Sequence, residues 1–269
     1  MLKTIKSIII EHILYRKQIV KLAKAEVIKT YTNTALGWSW AIIKPMTTIF
    51  MFWFAFAIGL RYSRIIEGHP YFLWLIAGFM PWFYMQEMIQ GGASCIRANR
   101  ALVTKMKFPI SVIPTYFSLS KLVVNLGLTL IMVIIYICMG FMPTIYYLQL
   151  PLYIFMMYIW FTIWALFAGM LSAVSADFLN LVKSFGRAIF WISGVMYDVR
   201  NIRTDWIRII MGYNPITIIV NGFRDTFIYH RWFFEDTEAI RNYLILLIII
   251  MVLAINTFRH RENEIRDIL

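Results

Sequence analysis

Six stretches of this chain are apolar over a length near what a bilayer requires, and polar segments separate them. They cover residues 40–60, 71–90, 122–142, 152–173, 181–197 and 243–258. A hydrocarbon core about 30 Å thick takes about 20 helical residues, so each stretch reads as a membrane-spanning helix. The last two are short, and the fifth carries Lys183 and Arg187. Ahead of them, residues 1–32 are too polar to span. At helical spacing Lys3, Lys6, Lys17, Lys21 and Lys24 share one face, and Ile5, Ile9, Ile19, Ala23 and Val27 gather on another. Such a helix lies at the membrane interface with its lysines toward anionic headgroups, or it packs on the protein's own cytoplasmic end. The interfacial reading is preferred.

The connections carry their own signals. Residues 31–45 lead into the first span. Trp38 and Trp40 suit the headgroup level, Lys44 can snorkel there, and Pro45 follows. Residues 61–70 make a short outer connection with Gly68 and Pro70 as turn residues. Gly78-Phe79-Met80-Pro81-Trp82 predicts a bend in the second span, which ends at Gly91-Gly92. The 91–121 segment is the first long cytoplasmic loop, with a short polar helix over 93–107 stopped by Pro109. Its charge and its Phe108-Pro109 exit suit a docking surface. Residues 142–151 make a short outer turn, and Gly169 with Ala173 sets a small-xxx-small spacing in span four. Residues 198–242 are too apolar for a free surface loop. Asn214 is placed to cap a helix that Pro215 begins, and Ile216, Ile219, Val220, Phe223 and Phe227 follow at helical spacing. Two short helices that dip into the outer leaflet fit this pattern. The alternative is a further full span, which would put the C-terminus outside.

The fold class is therefore an all-α polytopic membrane protein, a single transmembrane domain over 1–269. It has six spans, an N-terminal amphipathic interface helix and two short outer-side re-entrant helices between spans five and six. Composition agrees: the 269 residues are 61% hydrophobic and 15% charged, against about half and a quarter in soluble domains. The net charge of +12 does not point to nucleic acid, because the basic residues flank spans. With both termini inside, sixteen Lys and Arg fall on the cytoplasmic side and eight outside, as the positive-inside rule requires. Arg259, Arg261 and Arg266 keep the C-terminus inside. No cleavable leader is expected, since the apolar core Ile8–Ile10 is short and His12, Arg16 and Lys17 follow it. Cys95 and Cys138 form no framework of bridges or metal ligands.

No catalytic signature is present. The chain lacks the Gly-x-x-x-x-Gly-Lys-Ser/Thr phosphate loop, so it should not hydrolyse ATP alone. His12, His69, His230 and His260 lie in separate segments, which offers no metal cluster, and there is no Gly-x-Ser-x-Gly elbow. Carboxylates are nearly absent from the spans, and Asp177 sits at a cytoplasmic edge; this argues against a proton-coupled pump. Aromatic residues crowd spans one, two and four. Their apolar faces and polar tips suit sugar rings, although packing and lipid belts account for most of them. Phe50, Trp53, Phe54, Trp82 and Tyr84 are the candidates for a substrate path.

An ordered set of features runs along the whole chain. It comprises the basic amphipathic N-terminal helix, then Tyr31, Leu36-Gly37, Trp40 and Pro45, then Gly78 and Pro81-Trp82. Asn99 and Lys105 to Phe108-Pro109 come next, and finally Asn214-Pro215 before a helix ending at Phe223-Arg224-Asp225. In this the chain resembles the permease subunits of type-2 ABC exporters, in particular those moving lipid-linked O-antigen polysaccharide or teichoic acid. It departs from many relatives at Ala176-Asp177, where an arginine precedes the aspartate in them. The resemblance implies a homodimer in the bacterial cytoplasmic membrane and two separately encoded cytoplasmic ABC ATPase subunits, which would carry the ATP and Mg; the chain itself would need no cofactor. It also implies that 91–107 is a coupling helix, with Arg97, Asn99, Arg100 and Lys105 as the ATPase-facing residues, and that inside lysines and arginines attract a lipid-pyrophosphate headgroup. Two other readings stand beside it: a type-2 ABC permease for a drug or lipid, and a membrane scaffold without transport.

Overall fold

The computed structural model describes residues 2–32, 35–59, 65–106 and 108–268. Residues 33–34 of the hinge, 60–64 of the first outer connection and Lys107 lie outside the described residues, as do the side chains of Lys105 and Arg266. Eleven α-helices follow in order among the described residues: α1 (Leu2–Leu14), α2 (Arg16–Thr32), α3 (Trp40–Trp53), α4 (Tyr71–Ala98), α5 (Arg100–Met106), α6 (Val112–Cys138), α7 (Leu150–Val174), α8 (Ala176–Ile192), α9 (Asp205–Gly212), α10 (Pro215–Arg224) and α11 (Thr237–Ile268). A two-residue hairpin, β1 (Ile65–Ile66) against β2 (His69–Pro70), closes the first outer connection. Four helical stretches are long and apolar enough to cross a membrane: Gly37–Ile58, Val112–Cys138, Ile145–Val174 and Thr237–Ile265. The molecule is an all-α, multi-pass membrane protein.

The centre of the bundle is α4. Its 28 residues make a rod about 42 Å long, apolar on nearly every side, and a helix of that kind must be enclosed. It packs against α3, α6, α7, α8 and α10, and α11 lies outside α7. Pro81 sits within α4, and Asn125 Nδ2 of α6 donates to the Met80 carbonyl beside it at 2.7 Å.

Several boundaries differ from the sequence reading. α4 does not stop at Gly91-Gly92 but runs on to Ala98. A Cβ on Gly91 would stand 2.8 Å from the Phe117 ring, and one on Gly92 would stand 2.9 Å from the Ala165 Cβ. The glycine pair therefore serves close approach of α6 and α7 rather than ending a helix. α6 likewise begins ten residues before the apolar stretch, because Ser111, Ser118, Ser120 and Thr129 are buried with internal hydrogen bonds. Most of the expected 91–121 loop is thus helical. The fifth stretch is shifted upstream: Ser175 caps α8 by accepting from the Phe178 N–H at 3.3 Å, and the helix stops at Ile192. There Gly194 takes φ +67°, and a Cβ would overlap the Val199 side chain. The last helix is 32 residues long and begins at Thr237.

The N-terminal segment divides in two. In α2, Ile19, Ala23 and Val27 are buried, and the helix packs on α6, so its apolar face serves the protein's own inner end. In α1, Ile9, Ile13 and Leu14 are each more than half exposed, which leaves an apolar strip for the membrane interface.

At the other end, α9 and α10 are the two short helices. Asn214 accepts from the Ile216 N–H at 3.0 Å, with Pro215 in the first turn. α10 is buried almost throughout, whereas α9 exposes Trp206, Ile209 and Ile210. A Cβ on Gly222 would overlap the Tyr153 ring of α7. Gly222→Ala should therefore lower stability by about 1–3 kcal/mol, the usual cost of overpacking. Thermal unfolding in detergent checks this; an unchanged melting temperature would show that the ring can turn aside.

Candidate functional site

At the end of the bundle nearest α1 and α2, α4 and α5 meet at Asn99. Its Nδ2 donates to the Cys95 carbonyl at 2.8 Å, and its own carbonyl accepts from the Leu102 N–H, so the residue turns the chain from one helix into the next. Arg97, Arg100 and Met106 are exposed on the resulting knob. Lys105 belongs to α5 by backbone, and its side chain lies outside the described residues. Below the knob, Val103, Phe108 and Ile110 are buried. Tyr15, between α1 and α2, sets its ring edge-on to Phe108 with centroids 5.1 Å apart. Glu11 accepts from the Ser111 hydroxyl, and His12 Nε2 shares a hydrogen bond of 2.7 Å with Thr115 Oγ1. The structure thus fastens the N-terminal helix to the start of α6 and to the exit of α5. Sequence spacing alone could not pair these residues, because about 100 positions separate them.

The candidate path aromatics fall in three places. Phe50 and Phe54 are exposed at 56% and 51%, and Trp53 lies between them in chain order with its ring 5.8 Å from Phe50. Phe50 and Phe54 are exposed at the end of α3 and the start of the turn after it, whereas Trp53 is half-buried, with its ring edge-on to Phe72 of α4 at 6.0 Å. Trp82 is buried against Phe190 of α8 at 5.2 Å. Tyr84 is buried on another side of α4, where its hydroxyl shares a hydrogen bond of 2.7 Å with Ser118, itself bonded to Thr162; it packs the core of this protomer. α3 and α8 meet through rings, Phe52 to Phe190 at 5.5 Å and Phe52 to Trp191 at 6.3 Å. Few residues of α3 are buried, Pro45 and Ile49 among them. Phe185, Trp191 and Ile192 of α8 are exposed as well. Together the two helices present a broad apolar and aromatic face. α3 also ends in a π-helical turn, Phe54–Gly59, a geometry that often marks functional segments.

At the opposite end, the Phe223-Arg224-Asp225 triplet proves to be the centre of a polar network. Arg224 is fully buried. Its guanidinium carbon lies 3.4 Å from the Trp74 ring centroid, Nη1 donates to the Gly194 carbonyl at 2.7 Å and Nη2 to that of Val195 at 2.5 Å. Gly78 makes room: a Cβ there would stand 2.6 Å from Nη2. Arg200 forks onto both oxygens of Asp225 at 2.7 and 2.5 Å. Tyr229 donates to Asp198 and accepts from Trp74 Nε1. Burial pulls the Arg200 guanidinium down, but the bond to Asp225 and its charge outweigh that and hold its pKa above the ordinary value. Burial and the nearby Asp198 push the Tyr229 hydroxyl up to about 12. Burial, with His69 close by, pulls His230 below the usual histidine range and favours its neutral form. The network ties α4, the turn after α8 and the end of α10 into one outer unit. The sequence marked the triplet but not its partners.

No group of three His, Cys, Asp or Glu side chains among the described residues could hold a metal ion. The described residues form a polar knob at one end, a polar staple at the other and an exposed aromatic face on α3 and α8.

Comparison with known proteins supplies a frame for these parts. A family model described as ABC-2 type transporter matches residues 17–228. An O-antigen export system permease protein RfbA from Myxococcus xanthus is 23% identical over 257 residues, 94% of this chain and 95% of that protein. One of the same description from Klebsiella pneumoniae is 21% identical over 238 residues, 87% of this chain and 89% of its own length.

Proposed function

Since the chain belongs to the ABC-2 type transporter family, we propose that it is the membrane subunit of an ATP-driven exporter for a lipid-linked cell-envelope polysaccharide. The observation that carries this reading is the collinear match over 94% of the chain to a protein described as an O-antigen export permease. Six spans then follow, α3, α4, α6, α7, α8 and α11, with both termini cytoplasmic in the bacterial inner membrane. α9 and α10 form the outer-leaflet elements. The aromatic face of α3 and α8 meets a second copy of the chain, and the path runs along that seam. A teichoic-acid-type polymer would use the same face, because its lipid carrier and its bulk are similar.

Two cytoplasmic ATPase subunits bind the α4–α5 knobs in this reading. Their closure pushes on α5. Phe108 and Tyr15 pass the displacement to α1 and α2, and the 31–45 hinge passes it to α3. Gly37–Ile58 is the least buried of the four stretches long and apolar enough to cross a membrane, so α3 is an element that a modest push can move.

Two experiments test this. The purified chain reconstituted with its ATPase should hydrolyse ATP faster when lipid-linked glycan is added. Stimulation by lipids or drugs alone would replace the cargo, and a failure to retain any ATPase would remove the exporter reading. Replacing Phe50 and Phe54 by alanine should lower glycan transport about 30-fold, since two sugar–aromatic contacts worth about 1 kcal/mol each are lost. The side chains are exposed, so the melting temperature should hold. A matching fall in both would assign them to packing.

A further inference from the structure

A cleft of about 590 Å³ opens between α3, α4 and α6, beside the hinge at Tyr31 and Trp40. Its wall joins an apolar part, with Phe83 and Leu128, to a charged part with Lys44, Lys121 and Glu87. Lys121 Nζ lies 3.2 Å from Glu87 Oε2, but the two side chains are 17% and 60% exposed. The cation is held in the cleft while the carboxylate reaches out of it. An ion pair with so exposed a partner is weak, and a better-placed anion can displace the carboxylate. Lys44 sits 5.7 Å from the Trp40 ring centroid, and no carboxylate pairs with it among the described residues.

A second observation points the same way. Asn125 also lines the cleft and is 2% exposed. Its Nδ2 is committed to the Met80 carbonyl, which fixes the amide's orientation. Its Oδ1 is buried without any hydrogen-bond partner. A buried acceptor left empty is rare, and here it waits for a donor from whatever occupies the cleft.

We propose that this cleft is a binding site for the phosphate headgroup of a membrane amphiphile. The phosphate sits between Lys44 and Lys121 and makes charge-assisted contacts with both. A hydroxyl next to the phosphate donates to Asn125 Oδ1, and the hydrocarbon follows Phe83 and Leu128 toward the bilayer. The proposal rests on the membrane orientation given above, with α3 and α6 as spans, but not on the identity of the exported cargo. Because Lys44 is on α3 and Lys121 is on α6, an occupied cleft would tie the hinge to the bundle. Two sources share the phosphate: a glycerophospholipid such as phosphatidylglycerol, which also carries the hydroxyl for Asn125 and is the occupant the cleft favours, and a polyprenyl diphosphate, which lacks it.

Native mass spectrometry of the intact chain from detergent tests the proposal. The chain is titrated in separate arms with phosphatidylglycerol, polyprenyl diphosphate, diacylglycerol and inorganic diphosphate. At least one phosphate lipid should form a one-to-one adduct about tenfold tighter than diacylglycerol, and the tighter of the two names the source. The Lys44→Gln/Lys121→Gln variant should lose about tenfold in that affinity, whereas Arg241→Gln, at the outer end, should bind as the wild type does. Lys44→Gln alone alters only an exposed side chain, so it keeps the test open if the double variant misfolds, and it should weaken binding too. Equal binding of diacylglycerol, undiminished binding by a folded variant, or inorganic diphosphate binding as tightly as the lipids would each overturn the proposal. Failure of glycan transport would leave these results untouched.

Discussion

Replacing Arg224 by leucine should destabilise the chain by about 3 kcal/mol and loosen its outer end. The guanidinium supplies the donors to the Gly194 and Val195 carbonyls. Orphaning a buried acceptor costs about 1–3 kcal/mol, and losing a desolvated cation–π contact, as with Trp74 at 3.4 Å, costs about 2 kcal/mol. Relief from burying a charge offsets part of this, since burial already pulls the Arg224 pKa down to about 10. Arg224→Lys should fare little better, because an ammonium cannot fork to two carbonyls and stack on a ring at once. Gly78→Ala should reproduce the defect from the other side, by bringing a Cβ within 2.6 Å of Nη2 and 2.9 Å of the Val195 carbonyl. Thermal unfolding in detergent and proteolysis of the 193–204 turn measure both. Wild-type melting in Arg224→Leu would show that the outer end is held by apolar packing alone.

Reversing the charges at Arg97, Arg100 and Lys105 together should abolish export, with a fall of about 100-fold, while the chain still folds. Arg97 and Arg100 are exposed, and the knob is anchored by Val103 and Phe108 beneath it. Like charges brought face to face at an interface cost several kcal/mol. Glycan at the cell surface and ATPase stimulation are the two readouts. Unchanged export would remove the coupling role from α5, and a fall in expression with export would assign the residues to stability. The companion change Tyr15→Ala removes the edge-on contact to Phe108. It should lower export with no change in ATPase binding, because it cuts the link downstream of the knob.

Much of the architecture is legible in the residues themselves. Runs of apolar positions near 20 residues marked six stretches, of which four coincide with helices long and apolar enough to cross a membrane. The Asn214-Pro215 start of α10 appears where local capping chemistry put it, and the apolar run before it is the short helix α9. These are local properties: a run length, a cap and a proline each act within a few residues. Boundaries were missed where burial inside protein replaced burial in lipid. α6 begins in a serine-rich segment that polarity read as a loop, because Ser111 and Ser118 find partners on α1, α4 and α7. Gly91-Gly92 read as a stop because a glycine pair usually breaks a helix; here it lets Phe117 and Ala165 close in.

The aromatic candidates show the same division. Composition could say that Phe50, Trp53, Phe54, Trp82 and Tyr84 were many and close in sequence. It could not say that Phe50 and Phe54 are exposed while Trp53 turns to Phe72 and Tyr84 is locked to Ser118 in the core, since that depends on which side of α3 and α4 meets a neighbour. The sequence by itself determined an all-α, multi-pass membrane protein whose basic residues flank its apolar stretches and which lacks a phosphate-loop motif. Hydrophobic run length, charge asymmetry and a missing phosphate loop are one-dimensional facts. Only the tertiary structure decided that Gly78 exists for Arg224, that Arg200 pairs with Asp225, that Tyr15 braces Phe108, and that Lys44 and Lys121 face one cleft. Each of those links joins residues on different helices, and their meeting is fixed by how α4 is enclosed rather than by anything near them in the chain.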